Sequence, residues 1–255
     1  MQGYKDVLKK LIRRCGFDLV RSNVERGRLP VEATDQDKQI SLSVAPYTMT
    51  SPERVWAVIS SVKYIVANNI HGDFVECGVW RGGSAMAIAY KLKELGVLDR
   101  QLWLYDTFSG MTAPSTKDVE AHSGKSAEAL LEETTRGDGN NIWCVASKED
   151  VLANILATGY IVNNIRFVEG DILETLNREI PEKISMLRLD TDWYESTKKE
   201  LQVLYPRLVS GGVCIIDDYG HWRGSRMAVD EYFFENNINV LLHPIDATGR
   251  IFVKP

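Results

Sequence analysis

Cysteine and histidine are scarce in this chain, with four of each among 255 residues. Cys15, Cys77, Cys144 and Cys214 stand far apart and form no CxxC pair. Cys77 and Cys214 fall in strand-like apolar runs, so both read as buried thiols, and a reducing cytoplasm is the expected compartment. No apolar stretch approaches the ~20 residues that a membrane-spanning helix requires. The first residues, Met1-Gln2-Gly3-Tyr4-Lys5-Asp6, are charged and lack the apolar segment of a secretory signal. No basic block interrupts the scattered Lys and Arg, and the net charge is -5. That balance argues against nucleic acid as a partner. There is no internal repeat and no low-complexity tract.

What is present is a chain that is 44% hydrophobic, enough to bury a sizeable core in one large α/β domain. Residues 1–22 carry Val7, Leu8, Leu11 and Ile12 at helical spacing, and residues 23–50, with Pro30 and Pro46, read as irregular. Residues 1–50 are therefore expected to form an N-terminal extension acting as a lid, an oligomer contact or a packing arm. Residues 51–255 are the main domain. Ser51 reads as an N-cap with Pro52 at the first helical position. Expected strands are 73–77, 101–105, 165–168, 184–189 and 213–216. Expected helices are 51–68, 83–95, 126–135, 148–158, 196–205 and 224–236. Residues 239–243 and 250–253 are expected to close the sheet as an antiparallel hairpin. This alternation predicts a doubly wound, mostly parallel sheet with helices on both faces.

The strand Asp73–Cys77 runs into Gly78-Val79-Trp80-Arg81-Gly82-Gly83-Ser84. Such a turn lets a ligand approach the backbone and offers it free N–H groups at a helix start. A dinucleotide fingerprint would need glycine where Trp80 stands. That disfavours NAD and FAD, and with them a nicotinamide dehydrogenase. It does not trouble a ligand without a pyrophosphate, such as S-adenosylmethionine. Asp106 and Asp171 end the next two strands, where they can meet the ribose and the adenine side of such a ligand, or else cap turns.

Two acidic runs follow apolar strands further on: Asp190-Thr191-Asp192 and Asp217-Asp218. Asp190 and Asp192 are two apart, so an extended chain would point them the same way. Carboxylates without His or Cys suit Mg²⁺, Ca²⁺ or Mn²⁺ rather than zinc. Without a cation such a cluster repels itself unless some groups are protonated. A divalent ion beside a methyl donor can bind an acceptor hydroxyl and its neighbour, and a spare carboxylate can take the proton.

Six stretches together carry a resemblance. They are Tyr47-Thr48-Met49-Thr50, the run from Val75 to Ser84, Asp106-Thr107-Phe108-Ser109-Gly110-Met111, Gly170-Asp171-Ile172, the run from Leu187 to Thr197, and the run from Gly211 to Gly220. With them the chain resembles the macrocin O-methyltransferase family, metal-dependent class I methyltransferases acting mostly on sugar hydroxyls of natural products. The resemblance implies that Asp190, Asp217 and Asp218 hold Mg²⁺ and that Asp192 is the general base. It gathers Glu76, Asp106, Asp171, the Thr48-Met49 backbone and Ser109 around S-adenosylmethionine. Gly78 and Ser84 in the turn, Ile172 beside Asp171, and Asp190 complete the expected cofactor set. Residues 23–45 and 112–125 correspond to variable, substrate-covering regions, so the acceptor does not transfer. Trp193, His221, Trp222 and His122 are candidate acceptor contacts; the alternatives are loop histidines and packing indoles. The expected partners are a small-molecule acceptor, a sugar or glycosylated natural product, and a second copy of the chain engaged through residues 1–45. The rival readings are a catechol-type O-methyltransferase and a non-catalytic binding protein on the same scaffold.

Overall fold

The computed structural model describes residues 29–136 and 141–255. Five parallel strands form most of one sheet: β1 (Asp73–Cys77), β2 (Leu102–Asp106), β3 (Ile165–Glu169), β4 (Ile184–Leu189) and β5 (Leu208–Ile216). A closing hairpin adds β6 (His243–Pro244) and β7 (Arg250–Val253), with β7 antiparallel to β5. The strand order is β3-β2-β1-β4-β5-β7-β6. Among the described residues the helices are α1 (Asp35–Val44), α2 (Pro52–Ala67), α3 (Gly83–Glu94), α4 (Ala127–Glu132), α5 (Lys148–Leu156), α6 (Ile172–Thr175), α7 (Tyr194–Leu204) and α8 (Arg223–Glu235).

Neighbouring strand residues bury into opposite layers. Phe74, Leu102, Leu104, Met186, Val213 and Ile215 pack with residues of α1, α2, α3 and α5. Val75, Trp103, Tyr105, Leu187, Leu189, Cys214 and Ile216 pack with residues of α7 and α8. Both faces are covered, which is why these strands read as continuous apolar runs rather than alternating ones. The doubly wound expectation holds, and so do the helices at 52–67, 83–94 and 223–235 within a residue or two. Ser51 caps α2 through Arg54 N–H, as expected.

Several elements differ from the sequence reading. Residues 35–44 are helical rather than irregular, started by a reciprocal cap between Thr34 and Asp37. Asp37 is fully buried and ion-paired to Lys91 of α3 at 2.5 Å and Lys63 of α2 at 3.2 Å. The element is held by a buried charge, so apolar periodicity did not reveal it. Helix α7 starts two residues earlier than expected, because the buried Asp118 accepts the Tyr194 N–H at 2.7 Å from a distant loop. The edge strand β6 is only His243–Pro244. The expected helix over 1–22 lies outside the described residues.

Candidate active site

The strand order reverses between β1 and β4, so their carboxyl ends diverge into opposite helical layers and leave a crevice. A cavity of about 630 Å³ opens there. Gly78 leaves β1 with φ +81°, and a Cβ on it would stand 1.9 Å from the Asp190 carbonyl oxygen. Only glycine lets the two strand ends approach this closely.

At one end of the cavity the Gly-rich turn leads into α3. A Cβ on Gly83 would fall 2.6 Å from both Thr48 Cβ and the Tyr47 carbonyl oxygen, so the 47–48 segment seats directly on the helix start. Thr48, Met49, Gly78, Trp80, Ser84, Asp171 and Ile172 all line this end. Asp106 lines it too, yet its carboxylate accepts N–H groups from Val79 at 2.6 Å, Trp80 at 3.1 Å and Phe108 at 2.7 Å. It therefore fixes the shape of the Gly-rich turn. Asp171 caps α6 through Leu173 N–H at 2.9 Å. Ser109 is exposed and stands outside the cavity wall, its carbonyl accepting from Arg136.

At the other end, carboxylates gather around two guanidiniums. Arg188 stands opposite Glu76 in the β4–β1 register and is 2% exposed. It pairs with Glu76 at 2.8 Å, Asp190 at 2.7 Å and Asp217 at 2.7 Å. Arg54, from the first turn of α2, donates to the other oxygen of Asp217 and to the Thr248 hydroxyl. Asp190, Asp217 and Asp218 can each offer an oxygen within 4.8 Å of the others. Asp218 Oδ2 is buried and has no hydrogen-bond partner. Three converging hard oxygen donors, one of them orphaned, fit a divalent cation of the Mg²⁺ type.

Asp192 does not continue an extended strand, which corrects the sequence expectation. β4 ends at Leu189, and the Trp193 N–H closes a tight turn on the Thr191 carbonyl at 2.7 Å. Asp192 sits at its apex with φ +66°, a left-handed conformation uncommon for a non-glycine residue. Trp80 (φ +46°) and Cys144 (φ +47°) share that conformation and also line the cavity. Backbone strain is thus concentrated at the site. The Trp222 indole N–H donates to Asp192 Oδ1 at 3.1 Å. Burial, followed by the charge of Asp190, pushes Asp192 up to about 7. Burial and neighbouring carboxylates also hold Asp218 well above the usual range, and burial does the same for Asp190.

The rim of this end is built by the 107–125 loop. Residue 120 bridges to residue 222 in antiparallel fashion, stitching the loop to the start of α8. Glu120, His221 and Trp222 line the cavity with Met111, Thr112 and Leu130. His221 Nε2 lies 3.7 Å from Glu120 Oε1, and burial lowers the His221 pKa. Trp193 stands behind the wall, donating to the Thr112 carbonyl at 3.1 Å and meeting Trp222 edge-on at 5.0 Å. His122 is exposed and outside the wall.

Sequence reasoning gave no role to Arg54, Arg188, Glu120 or Cys144, all of which line the cavity. For Arg188 a signal existed: a single cation inside an otherwise apolar strand needs buried partners. Arg54 sits on an amphipathic helix where an arginine carries no such signal.

The macrocin-O-methyltransferase (TylF) family profile matches residues 6–254. The chain is 34% identical over 203 residues to the 8-demethyl-8-(2,3-dimethoxy-alpha-L-rhamnosyl)-tetracenomycin-C 4'-O-methyltransferase of Streptomyces olivaceus, covering 80% of this chain and 74% of that one. It is 33% identical, with the same coverage, to the demethyldecarbamoylnovobiocin O-methyltransferase of Streptomyces niveus. Among solved structures, the O-methyltransferase NovP superposes with a TM-score of 0.71 at 27% identity, over 99% of this chain and 98% of that one. The crevice at the strand reversal, the Gly-rich turn and the acidic strand ends thus belong to a member of the macrocin O-methyltransferase family, an S-adenosylmethionine-dependent O-methyltransferase.

Proposed function

We propose that this protein methylates a hydroxyl of a sugar carried on a natural product, that it depends on Mg²⁺, and that Asp192 is the general base. The observation that carries the reading is a single cavity with the Gly-rich turn at one end and the Asp190–Asp217–Asp218 cluster at the other. The relatives named above are O-methyltransferases of a dimethoxy-rhamnosyl-tetracenomycin C and of demethyldecarbamoylnovobiocin, and the rhamnosyl group of the first supports a glycosylated acceptor.

Asp190, Asp217 and Asp218 would hold the cation. Thr48, Met49, Gly78, Ser84, Asp171 and Ile172 would surround the cofactor, with Asp106 keeping the turn in shape. When bound, the cofactor supplies an electrophilic methyl group and the cation lowers the pKa of the acceptor hydroxyl. Asp192 accepts the hydroxyl proton at its carboxylate, and Trp222 holds that carboxylate in place. Glu120, His221, Thr112 and Thr134 supply hydrogen-bonding groups on the acceptor side, and Met111, Leu130 and Ile142 supply apolar surface. The wall mixes polar and apolar groups, so the preference for a sugar over a flat catechol is carried by the rhamnosyl acceptor in the name of the first relative.

The test is calorimetric titration of S-adenosylhomocysteine with and without Mg²⁺, followed by turnover of glycosides and catechols in each condition. Micromolar binding and Mg²⁺-dependent methylation of a glycoside are expected. Full turnover of a chelated, metal-free sample would sink the metal assignment, and turnover of catechols alone would move the acceptor class.

A further inference from the structure

Asp217 has no free oxygen in this structure. Oδ1 accepts from Arg188 at 2.7 Å and Oδ2 accepts from Arg54. The two arginines are not equivalent. Arg188 is 2% exposed in the middle of the sheet and is tied to three acids at once. It cannot leave without burying an unpaired charge. Arg54 is 16% exposed, lies on the first turn of a helix beside the cavity mouth, and has a second carboxylate to hold it.

That second carboxylate, Asp246, sits in the β6–β7 turn and is a hub. It accepts from Ser51 Oγ at 2.8 Å, Arg54 Nε at 2.8 Å, Thr248 N at 2.9 Å and Gly249 N at 2.7 Å. A Cβ on Gly249 would come 3.2 Å from Arg54 Nε, so glycine there leaves room for the guanidinium. If the whole Arg54 guanidinium turns away from Asp217 and takes Nε with it, Asp246 still accepts from Ser51 Oγ, Thr248 N and Gly249 N. The fork is thus held on all three nitrogens, by Asp246, Asp217 and the Thr248 hydroxyl, and because the guanidinium is planar it leaves Asp217 only by turning as a unit about its side chain.

We propose that Arg54 is a resident counter-ion that competes with a divalent cation for Asp217. The inference rests on the metal reading above and adds a residue to it. Before a cation arrives, the guanidinium supplies one positive charge at the cluster and keeps Asp217 in place. A monovalent ion entering there only replaces like with like. A divalent ion gains one unit of charge over the arginine it displaces, so Arg54 sets a threshold that favours divalent over monovalent cations. An arm that merely oriented Asp217 for the metal would act in the opposite direction, since loss of an outer-shell partner weakens metal binding.

The experiment is Mn²⁺ titration of the full-length protein, followed by the electron paramagnetic resonance signal of free Mn²⁺, with thermal melting in parallel. Removing a positive charge next to a dication should tighten its binding on the order of tenfold in Arg54→Gln. Arg54→Lys keeps the charge and should stay near wild type. Asp246→Asn loosens the anchor and should fall between. Metal-free Arg54→Gln should melt lower than wild type, and Mn²⁺ should raise its melting temperature by more than it raises that of wild type. Unchanged or weaker Mn²⁺ binding by a folded Arg54→Gln overturns the proposal while leaving the metal site standing. No Mn²⁺ binding by wild type, or wild-type binding by Asp217→Asn, removes the metal site and the proposal together.

Discussion

On the layer formed by the first three helices, Asp37 of α1 is buried against Lys91 of α3 and Lys63 of α2. At the carboxyl edge of the sheet, Glu76, Asp190, Asp192, Asp217 and Asp218 crowd around Arg188 and Arg54. The two groups are alike in burial and opposite in balance. Glu94 completes the first by pairing with Lys91, so acids and lysines match. Although burial works against the Asp37 charge, bonds from Lys91, Thr34 and Lys63 hold its carboxyl down at about 2. In the second group carboxylates outnumber cations, two oxygens (Glu76 Oε2 and Asp218 Oδ2) have no hydrogen-bond partner, and a cavity adjoins it. Burial drives Glu76 and Asp192 up to about 7. A matched buried cluster holds parts of the fold together. An unmatched one beside a cavity marks a candidate functional site.

The largest effect should come from the unmatched cluster. Asp192→Asn retains shape and can still accept from Trp222, but it cannot take a proton. Turnover should fall about 10²- to 10⁴-fold, while affinity for S-adenosylhomocysteine stays at the wild-type value. Turnover within a few-fold of wild type would remove Asp192 as base and leave its left-handed turn without a chemical reason.

The matched cluster should respond in stability and not in chemistry. Asp37→Asn leaves Lys91, 1% exposed, with Glu94 as its remaining counter-charge. Breaking a buried pair outright costs about 3–5 kcal/mol; with Glu94 still beside Lys91 the loss should fall below that range, and urea unfolding would report it as a lower midpoint, with kcat per folded molecule unchanged. Replacing the pair together, Asp37→Leu with Lys91→Met, should recover much of the loss, because no unpaired charge is then buried. If the single variant lost turnover at wild-type stability, the contrast between the clusters would fail.

The same contrast explains what the sequence made legible. Strands β1, β4 and β5 showed as apolar runs because both faces are buried, and the acids Asp190, Asp192, Asp217 and Asp218 stood out at their ends. The Gly-rich turn showed because Gly78 and Gly83 meet other backbone within van der Waals distance. Helix α1 did not show, since its buried side is an aspartate with only Ile40 and Val44 beside it. Arg54 and the Asp118 cap on Tyr194 did not show either, for their partners lie 163 and 76 residues away. Distant pairings between charged groups leave no periodicity. Asp106 showed as an acid at a strand end, but the three N–H groups it accepts belong to geometry alone.

The smallest expected effect is the sign of the pH dependence of stability, which sets Asp37 of the first cluster against Glu200, a buried acid that stands behind the second. Asp37 is lowered from 3.8 to about 2, so its contribution is complete above 3.8 and is lost as pH falls towards 2. Glu200, fully buried behind the site and accepting the Thr191 hydroxyl at 2.7 Å, is raised by burial from 4.5 to about 8. Its folded form keeps a proton that the unfolded chain has released. Stability from this group is therefore greatest below 4.5 and declines as pH rises towards 8. Glu200→Gln keeps the acceptor oxygen for Thr191 and removes the titration. Urea midpoints of the metal-free protein between pH 5 and 8.5 should fall less steeply in that variant than in wild type. The acid limb set by Asp37 should be the same in both, because Gln at 200 changes nothing around α1. Parallel wild-type and variant curves above pH 5 would mean that Glu200 is charged in the folded protein, and a second buried acid beside the site would then need a cation of its own.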